Sequence, residues 1–218
     1  MSRVAVILSG CGVFDGSEIH ETVITLLALA RHQQPYQCLA PNKEFDVVDH
    51  LTHKPTGEKR NVLVESARIA RGEVADLAQA QAADFSAVIL PGGFGAAKNL
   101  CNYALAQAEC TVDPAVARFL NDMHATGKPI GVICIAPVVL ARLLGPTAHP
   151  QLTIGTDAGT AQHVEQMGAK HVACGVDGIV VDGKWKVVST PAYMLADNIA
   201  AATTGIEKLV AEVVRMVR

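Results

Sequence analysis

The chain has 218 residues, a length that fits one α/β domain able to bury a sizeable core. Half of the residues are apolar but only 4% are aromatic, so the core must be aliphatic. The formal net charge is −3 and the sequence contains no basic cluster, which argues against nucleic acid or an anionic membrane as a partner.

The N-terminus and the cysteines indicate the compartment. Residues 1–3 run directly into an apolar segment that is too short and wrongly flanked for a signal peptide, and no later apolar run could span a bilayer. We therefore expect a cytoplasmic protein. The six cysteines lack paired C-x-x-C spacing, which predicts free thiols rather than a structural zinc site or a disulfide framework.

The first predicted unit is a strand over 4–8, a loop over 9–16 and a helix over about 17–31. The helix is predicted to face the sheet with five apolar residues, Ile19, Val23, Leu26, Leu27 and Ala30. Other apolar residues of the helix fall outside this stripe, so we expect a deep core position or a subunit interface. Glu21 points away from the centre of the stripe, toward the end of the first strand. The commoner fate of such a glutamate is a solvated carboxylate.

The next predicted elements are a strand over 36–40, a small strand or hairpin near 46–50 with a turn at 54–57, and two helices over 61–71 and 74–83. His50 and His53 lie three residues apart in this region. Because no other ligand lies nearby, we expect solvated histidines and no metal there.

A glycine-rich loop follows the apolar strand predicted over 85–90. Glycines such as Gly92 and Gly93 let backbone N–H groups approach a ligand closely. The spacing matches neither a Walker A loop nor Gly-x-Gly-x-x-Gly, so no nucleotide site is predicted. The loop suits an oxyanion hole, although glycines also serve a plain strand-to-helix turn.

Cys134 ends a second apolar strand and is followed at once by Ala136 and Pro137, which open a helix. This sharp turn resembles a nucleophile elbow, with the thiol beside a helix N-terminus that lowers its pKa. The alternative is a small buried core residue, because free cysteine is among the most buried residue types.

The remaining elements complete an alternating pattern. The segment 144–146 is predicted to end the preceding helix. The sequence then predicts a strand over 152–157, a helix over 160–168, a hairpin over 178–190 and closing helices over 198–217 that are interrupted at Gly205. The alternation predicts an α/β fold in one domain over 1–218, with a mainly parallel, doubly wound sheet and helices on both faces.

Ligands of doubly wound sheets bind beyond the carboxyl ends of the strands, where three of these loops should meet. Cys134 is then the candidate nucleophile, Glu21 the proton carrier, and the N–H groups of Gly93 and Ile135 the anion-binding donors. Cys11 lies on one converging loop as a resolving thiol, a ligand contact or a packed small residue.

The residues of these loops resemble a known family. Three groups of residues, Gly16 to Val23, Leu90-Pro91-Gly92-Gly93 with Lys98-Asn99-Leu100, and Cys134 with Ala136-Pro137, resemble the ThiJ/PfpI superfamily of the class I glutamine amidotransferase-like, flavodoxin-like fold. The longer segments 8–21 and 190–196 resemble its ElbB branch, whose members are described as isoprenoid-biosynthesis proteins or glyoxalases.

The resemblance implies a function and a site. It implies that Cys134 is the nucleophile, that Glu21 is its acidic partner and that the protein is a homodimer. It also implies a cofactor-independent glyoxalase, which converts glyoxal into glycolate or methylglyoxal into lactate, with protein deglycation as another interpretation of that activity.

Ile135 departs from the family pattern, because many members carry a histidine directly after the cysteine. A thiolate must then depend on Glu21, on the helix dipole or on a histidine from elsewhere, of which His20 is the nearest. His163-Val164-Glu165 resembles the His-x-Glu of true glutamine amidotransferases but follows Cys134 too closely to be that motif.

Two further functional classes remain as alternatives. In a redox sensor or regulatory protein, Cys134 would be oxidised to the sulfenic or sulfinic acid beside Glu21. An amidotransferase-like subunit would release ammonia from glutamine.

Overall fold

The structure is a computed structural model that describes residues 3–217. Its strands are β1 (Arg3–Ile7), β2 (Tyr36–Ala40), β3 (Glu44–Val48), β4 (Pro55–Asn61), β5 (Val74–Asp76), β6 (Phe85–Leu90), β7 (Ile130–Ile133), β8 (Gln151–Leu152), β9 (Lys170–His171), β10 (Val180–Asp182) and β11 (Val187–Thr190). Its α-helices are α1 (Ile19–Arg31), α2 (Val62–Ile69), α3 (Phe94–Lys98), α4 (Tyr103–Ala106), α5 (Pro114–Ala125), α6 (Pro137–Ala148), α7 (Ala158–Gln166) and α8 (Ile199–Val217). Within the described residues, none of these helices combines the length and apolar character needed to cross a bilayer.

Seven of the strands form one twisted sheet in the order β10-β11-β7-β6-β1-β2-β5. All neighbours pair in parallel except β10, which runs antiparallel to β11. β1 lies between β2 and β6, so the strand order reverses at β1. Sheets of this kind bind ligands beyond the carboxyl ends of the strands at such a reversal. The predicted fold class is confirmed.

Side chains of β1 alternate between two apolar cores. Val4 and Val6 pack with residues of α1 and α8 on one face, whereas Ala5 and Ile7 pack with α5 and α6 on the other. This alternation follows from the two-residue period of a strand. Helices therefore cover both faces of the sheet.

The predicted sheet-facing stripe of α1 is wrong. Ile19, Val23 and Leu27 are 42–48% exposed, and the buried face of α1 is formed by Glu21, Thr22, Ile24, Thr25, Ala28 and Leu29. Three of these buried residues are polar, and their hydroxyl and carboxyl groups find partners in the fold. Hydrophobic periodicity misplaced the face because it counts those residues as exposed.

Four further predictions differ from the structure. Of the strand predicted over 152–157, only Leu152 lies in a strand, which is β8. The segment predicted as a helix over 74–83 forms β5 and two short 3₁₀ turns. α6 continues through Gly145 and Pro146 to Ala148, and α8 is one helix through Gly205. Both glycines lie against backbone or side-chain atoms of neighbouring segments, so close packing and not a helix end explains them.

Candidate active site

Cys134 occupies a strained turn between β7 and α6. Its φ is +61°, a left-handed conformation that is uncommon for a residue with a side chain. Its N–H donates to the carbonyl of Thr190 at the end of the neighbouring strand β11, at 2.9 Å. Only 7% of the residue is exposed. The predicted elbow is therefore present, and its sulfur lies nearly closed off from solvent.

Glu21 lies beside this thiol and is fully buried in the first turn of α1. Its Oε2 accepts a hydrogen bond from the N–H of Gly92 at 2.9 Å, and its Oε1 accepts one from the N–H of Tyr193 at 3.2 Å. The carboxyl group also shares a hydrogen bond with the thiol of Cys134. Two loops thus hold the carboxyl group against the sulfur.

Burial changes the ionisation of both groups. Burial, followed by the nearby charge of Glu18, raises the pKa of Glu21 to about 8, although hydrogen bonds from two backbone N–H groups and from the Cys134 thiol act in the opposite direction. Burial, followed by the charge of Glu21, raises the pKa of the Cys134 thiol well above its ordinary value. The prediction that the helix N-terminus lowers the pKa of this thiol is wrong, because desolvation outweighs the dipole.

The backbone N–H groups of Gly93 and Ile135 face the Cys134 sulfur and favour its ionised form. Gly92 allows this approach, since a Cβ built there would lie 2.7 Å from Glu21 Oε2 and 3.0 Å from Cys134 Sγ. Gly93 has a φ of +90°, which a residue with a side chain rarely adopts. The donors predicted for an anion therefore surround the sulfur.

A cavity of about 480 Å³ opens above the sulfur. Its lining is mainly apolar and aromatic and comes from the loops after β1, β6, β7 and β11 and from the start of α7; it consists of Val13, Glu18, Gly93, Phe94, Ala97, Tyr103, Ala104, Cys134, Ile135, Asp157, Thr160, Tyr193 and Met194. The arrangement brings a thiol, an adjacent carboxyl group and two backbone donors together at a pocket that admits a small molecule.

The sequence of this chain matches a known family model. The model described as the DJ-1/PfpI family matches residues 12–196. The chain belongs to the DJ-1/PfpI family. This confirms the resemblance to the ThiJ/PfpI superfamily that the sequence motifs carry.

Similar proteins and solved structures match nearly the whole chain. Human glutamine amidotransferase-like class 1 domain-containing protein 3, mitochondrial, is 44% identical over 226 residues, which cover 99% of this chain and 83% of that protein. The crystal structure of an isoprenoid biosynthesis protein with an amidotransferase-like domain from Ehrlichia chaffeensis superposes with a TM-score of 0.94 at 38% identity and full coverage of both chains. Glyoxalase III from Candida albicans superposes with a TM-score of 0.64 at 13% identity, covering 97% of each chain, and shares the fold.

Three other residues singled out from the sequence lie away from the sulfur of this DJ-1/PfpI site. His20 is exposed, and its Nδ1 lies 2.7 Å from the hydroxyl of Tyr193. His20 therefore contacts a residue that lines the cavity but does not line the cavity itself. Cys11 lines a different cavity beside Asp15 and His50, and burial raises the pKa of its thiol. His163 bonds the hydroxyl of Tyr103 at 2.8 Å and does not line the cavity.

Glu18 and Tyr193 belong to the site although no sequence pattern predicted a role for them there. Glu18 is the N-cap of α1, and its Oε2 accepts from the N–H of Glu21 at 2.6 Å. Tyr193 enters through the loop after β11, a fourth loop beyond the three that were expected to converge. The segment 190–196 contributed to the family resemblance, and this was the available signal for Tyr193.

Proposed function

We propose that the protein is a cofactor-independent glyoxalase that converts glyoxal into glycolate, or methylglyoxal into lactate. The observation that supports this proposal is the buried pair of Glu21 and Cys134, with the N–H groups of Gly93 and Ile135 directed at the same sulfur. The reaction is an internal oxidation and reduction of adjacent carbons, so it needs no external electron acceptor.

In the first step Glu21 and Cys134 together hold one proton, and the sulfur of Cys134 attacks the aldehyde carbon of the substrate. A bond forms between sulfur and carbon, and the carbonyl electrons move to oxygen. The N–H groups of Gly93 and Ile135 stabilise that oxyanion. Glu21 supplies the proton that completes the hemithioacetal, which leaves its carboxylate free to act as a base.

In the second step the Glu21 carboxylate removes the proton of the sulfur-bound carbon, and the C–H electrons form a double bond to the adjacent carbon. The hydroxyl proton on the sulfur-bound carbon passes to the oxygen of the adjacent carbon, which gives an enediolate. Glu21 then returns the proton to that adjacent carbon, which gives a thioester of the hydroxy acid. Water hydrolyses the thioester and releases glycolate or lactate with the free thiol. A carboxyl group with a pKa of about 8 is poised near neutral pH for both transfers.

The names of related proteins support different parts of this proposal. The Candida albicans structure is named glyoxalase III, but at 13% identity it supports only the fold. The human relative is named for an amidotransferase-like domain. His163 bonds Tyr103 and does not line the cavity, which disfavours a glutamine-hydrolysing triad with Cys134. The same hemithioacetal chemistry would also act on glycated amines, which would make the activity a deglycation.

The alternative is a redox-sensing or regulatory protein linked to isoprenoid biosynthesis. Oxidation of a thiol by peroxide follows its exposure and its thiolate character. Cys134 is 7% exposed and burial raises its pKa, so both properties disfavour rapid oxidation. Mass spectrometry after mild peroxide treatment would support the alternative if Cys134 were modified selectively and no aldehyde were consumed.

The deciding experiment follows the consumption of glyoxal by the wild type and by C134A and E21Q. We expect both variants to lose at least a hundredfold in kcat/KM, because a nucleophile and its proton carrier act as a unit. Cys174→Ala is the matched control, since Cys174 is half-buried and lies outside the cavity. Retention of more than about a tenth of the activity by C134A would remove Cys134 from the mechanism.

A further inference from the structure

The walls of the cavity above Cys134 carry only negative charge. Of its lining residues within the described chain, Glu18 and Asp157 are acidic and none is a lysine, an arginine or a histidine. Outside the lining, the ammonium group of Lys98 lies 5.5 Å from the centre of the Phe94 ring and bonds the carbonyl of Phe14, and the imidazole of His163 lies near Asp157. The lining therefore favours a positively charged ligand over an anionic one.

The structure fixes both carboxylates by helix capping. Glu18 is only 8% exposed, and one of its oxygens accepts from the N–H of Glu21 at 2.6 Å. Asp157 is the N-cap of α7, where its Oδ1 accepts from the N–H of Thr160 at 2.8 Å. The hydrogen bonds from Thr160 lower the pKa of Asp157, so its carboxyl group is ionised at neutral pH. Each of the two carboxylates is therefore held in place by a backbone hydrogen bond.

Aromatic rings line the same cavity as these carboxylates and the sulfur. Tyr103 and Tyr193 both line the cavity, and their hydroxyls share hydrogen bonds with His163 and His20 that hold the rings in place. The faces of aromatic rings attract ammonium and guanidinium groups. The rings and the carboxylates thus favour the same class of ligand.

The cavity is larger than glyoxal requires. A water molecule takes about 30 Å³ of liquid volume, so about 480 Å³ corresponds to roughly 15 waters. Glyoxal has four heavy atoms and would fill only a small part of this space. Room for a second group remains beyond the carbonyl that reaches Cys134.

We propose that this cavity selects α-oxoaldehydes that carry an ammonium or guanidinium group, with Glu18 and Asp157 binding the positive charge. This inference rests on the glyoxalase proposal and names the substrate class of the same site. Glyoxal itself would then be a minimal substrate that leaves the charged part of the cavity unused.

The test compares three phenylglyoxals with para substituents of similar size, namely trimethylammoniomethyl, neopentyl and carboxymethyl. We expect kcat/KM for the cationic compound to exceed that for its neutral isostere at least tenfold, with the anionic compound lowest. Asp157→Asn should lower the ratio of cationic to neutral at least threefold. Asparagine caps helices as well as aspartate does, so α7 is preserved.

Asp46→Asn removes an exposed carboxylate outside the cavity and should leave all three rates unchanged. Equal rates for the three compounds, or a ratio unaffected by Asp157→Asn, would overturn the inference while leaving the glyoxalase proposal intact. The matched acetophenones lack the aldehyde, so their binding to the wild type by calorimetry separates the two proposals. Tighter binding of the cationic ketone without turnover of any aldehyde would support the recognition site and overturn the glyoxalase proposal.

Discussion

Glu21 shows how a single buried side chain links stability to chemistry. Its carboxyl group has no exposed surface, yet both oxygens accept backbone hydrogen bonds, so the desolvated group is not left without partners. Burial nevertheless favours the protonated form and raises the pKa to about 8 from an ordinary value of 4.5. The folded protein therefore binds this proton more tightly than the unfolded chain does.

We predict that the stability of the wild type relative to E21Q falls as pH rises from about 5 to 8. A carboxyl group with a raised pKa contributes most below 4.5, and this contribution is lost as pH rises through the folded pKa of about 8. At about 1.4 kcal/mol per pH unit, the relative free energy of unfolding should fall by up to about 4 kcal/mol. Urea denaturation at several pH values measures it, and parallel curves for the two proteins would contradict a protonated Glu21.

Gly92 is the residue at which a single methyl group should disable the site. A Cβ there would press against Cys134 and lie 2.7 Å from Glu21 Oε2. We predict that Gly92→Ala lowers kcat/KM for glyoxal at least a hundredfold, because the carboxyl group and the sulfur must separate. Gly183→Ala is the control for added chain stiffness and has no neighbour within 4 Å, and it should retain full activity.

At the scale of an element, α8 packs a glycine where a helix would normally favour alanine. A Cβ at Gly205 would overlap Thr190 Oγ1 and lie 2.8 Å from the carbonyl of Val176. Gly205→Ala should therefore destabilise the protein by about 1–3 kcal/mol by overpacking, despite a gain of about 1 kcal/mol in helix propensity. Denaturant unfolding measures this change.

Gly159 is the matched control for that prediction. It lies in α7, and the nearest atom to a Cβ built there is 3.7 Å away. Gly159→Ala should stabilise the protein by up to about 1 kcal/mol, because only helix propensity changes. Equal effects of the two substitutions on the free energy of unfolding would show that the atoms around Gly205 leave room for a methyl group.

At the scale of the whole molecule, α1 leaves an apolar face uncovered. Ile19, Val23 and Leu27 are 42–48% exposed, and Tyr36 is 39% exposed beside the groove that Val23 and Leu27 line. Groups of exposed apolar side chains of this kind often mark interaction surfaces. The homodimer implied by the family resemblance stays a prediction, and this face is where we expect it to form.

We predict that the wild type sediments as a dimer and that Val23→Glu shifts it to a monomer at micromolar concentration. A charge buried in an apolar interface costs several kcal/mol, which exceeds what a modest dimer can lose. Val64→Glu changes an exposed valine of α2 and should leave the dimer intact. A monomeric wild type, or a dimer that tolerates Val23→Glu, would contradict the assignment.

Local patterns were sufficient for the fold and for much of the site. A continuous apolar strand and a strand-to-helix turn at Cys134 predicted the sheet and the elbow, because side-chain period and proline chemistry depend only on neighbouring residues. β2 and β6 occupy the predicted residues, and the hairpin at Asp182-Gly183 forms. Convergence of Glu21, Gly93 and Cys134 followed from the rule that parallel strands direct their carboxyl ends to one edge.

Tertiary structure alone decided which groups are buried and therefore how they ionise. The buried face of α1 and the raised pKa of the Cys134 thiol depend on segments distant in the chain, such as α8 and the loop that carries Tyr193. Desolvation is set by all surrounding atoms, whereas a helix dipole is visible in a few consecutive residues. The sequence therefore determined which residues meet, and the packing around them determined their charge.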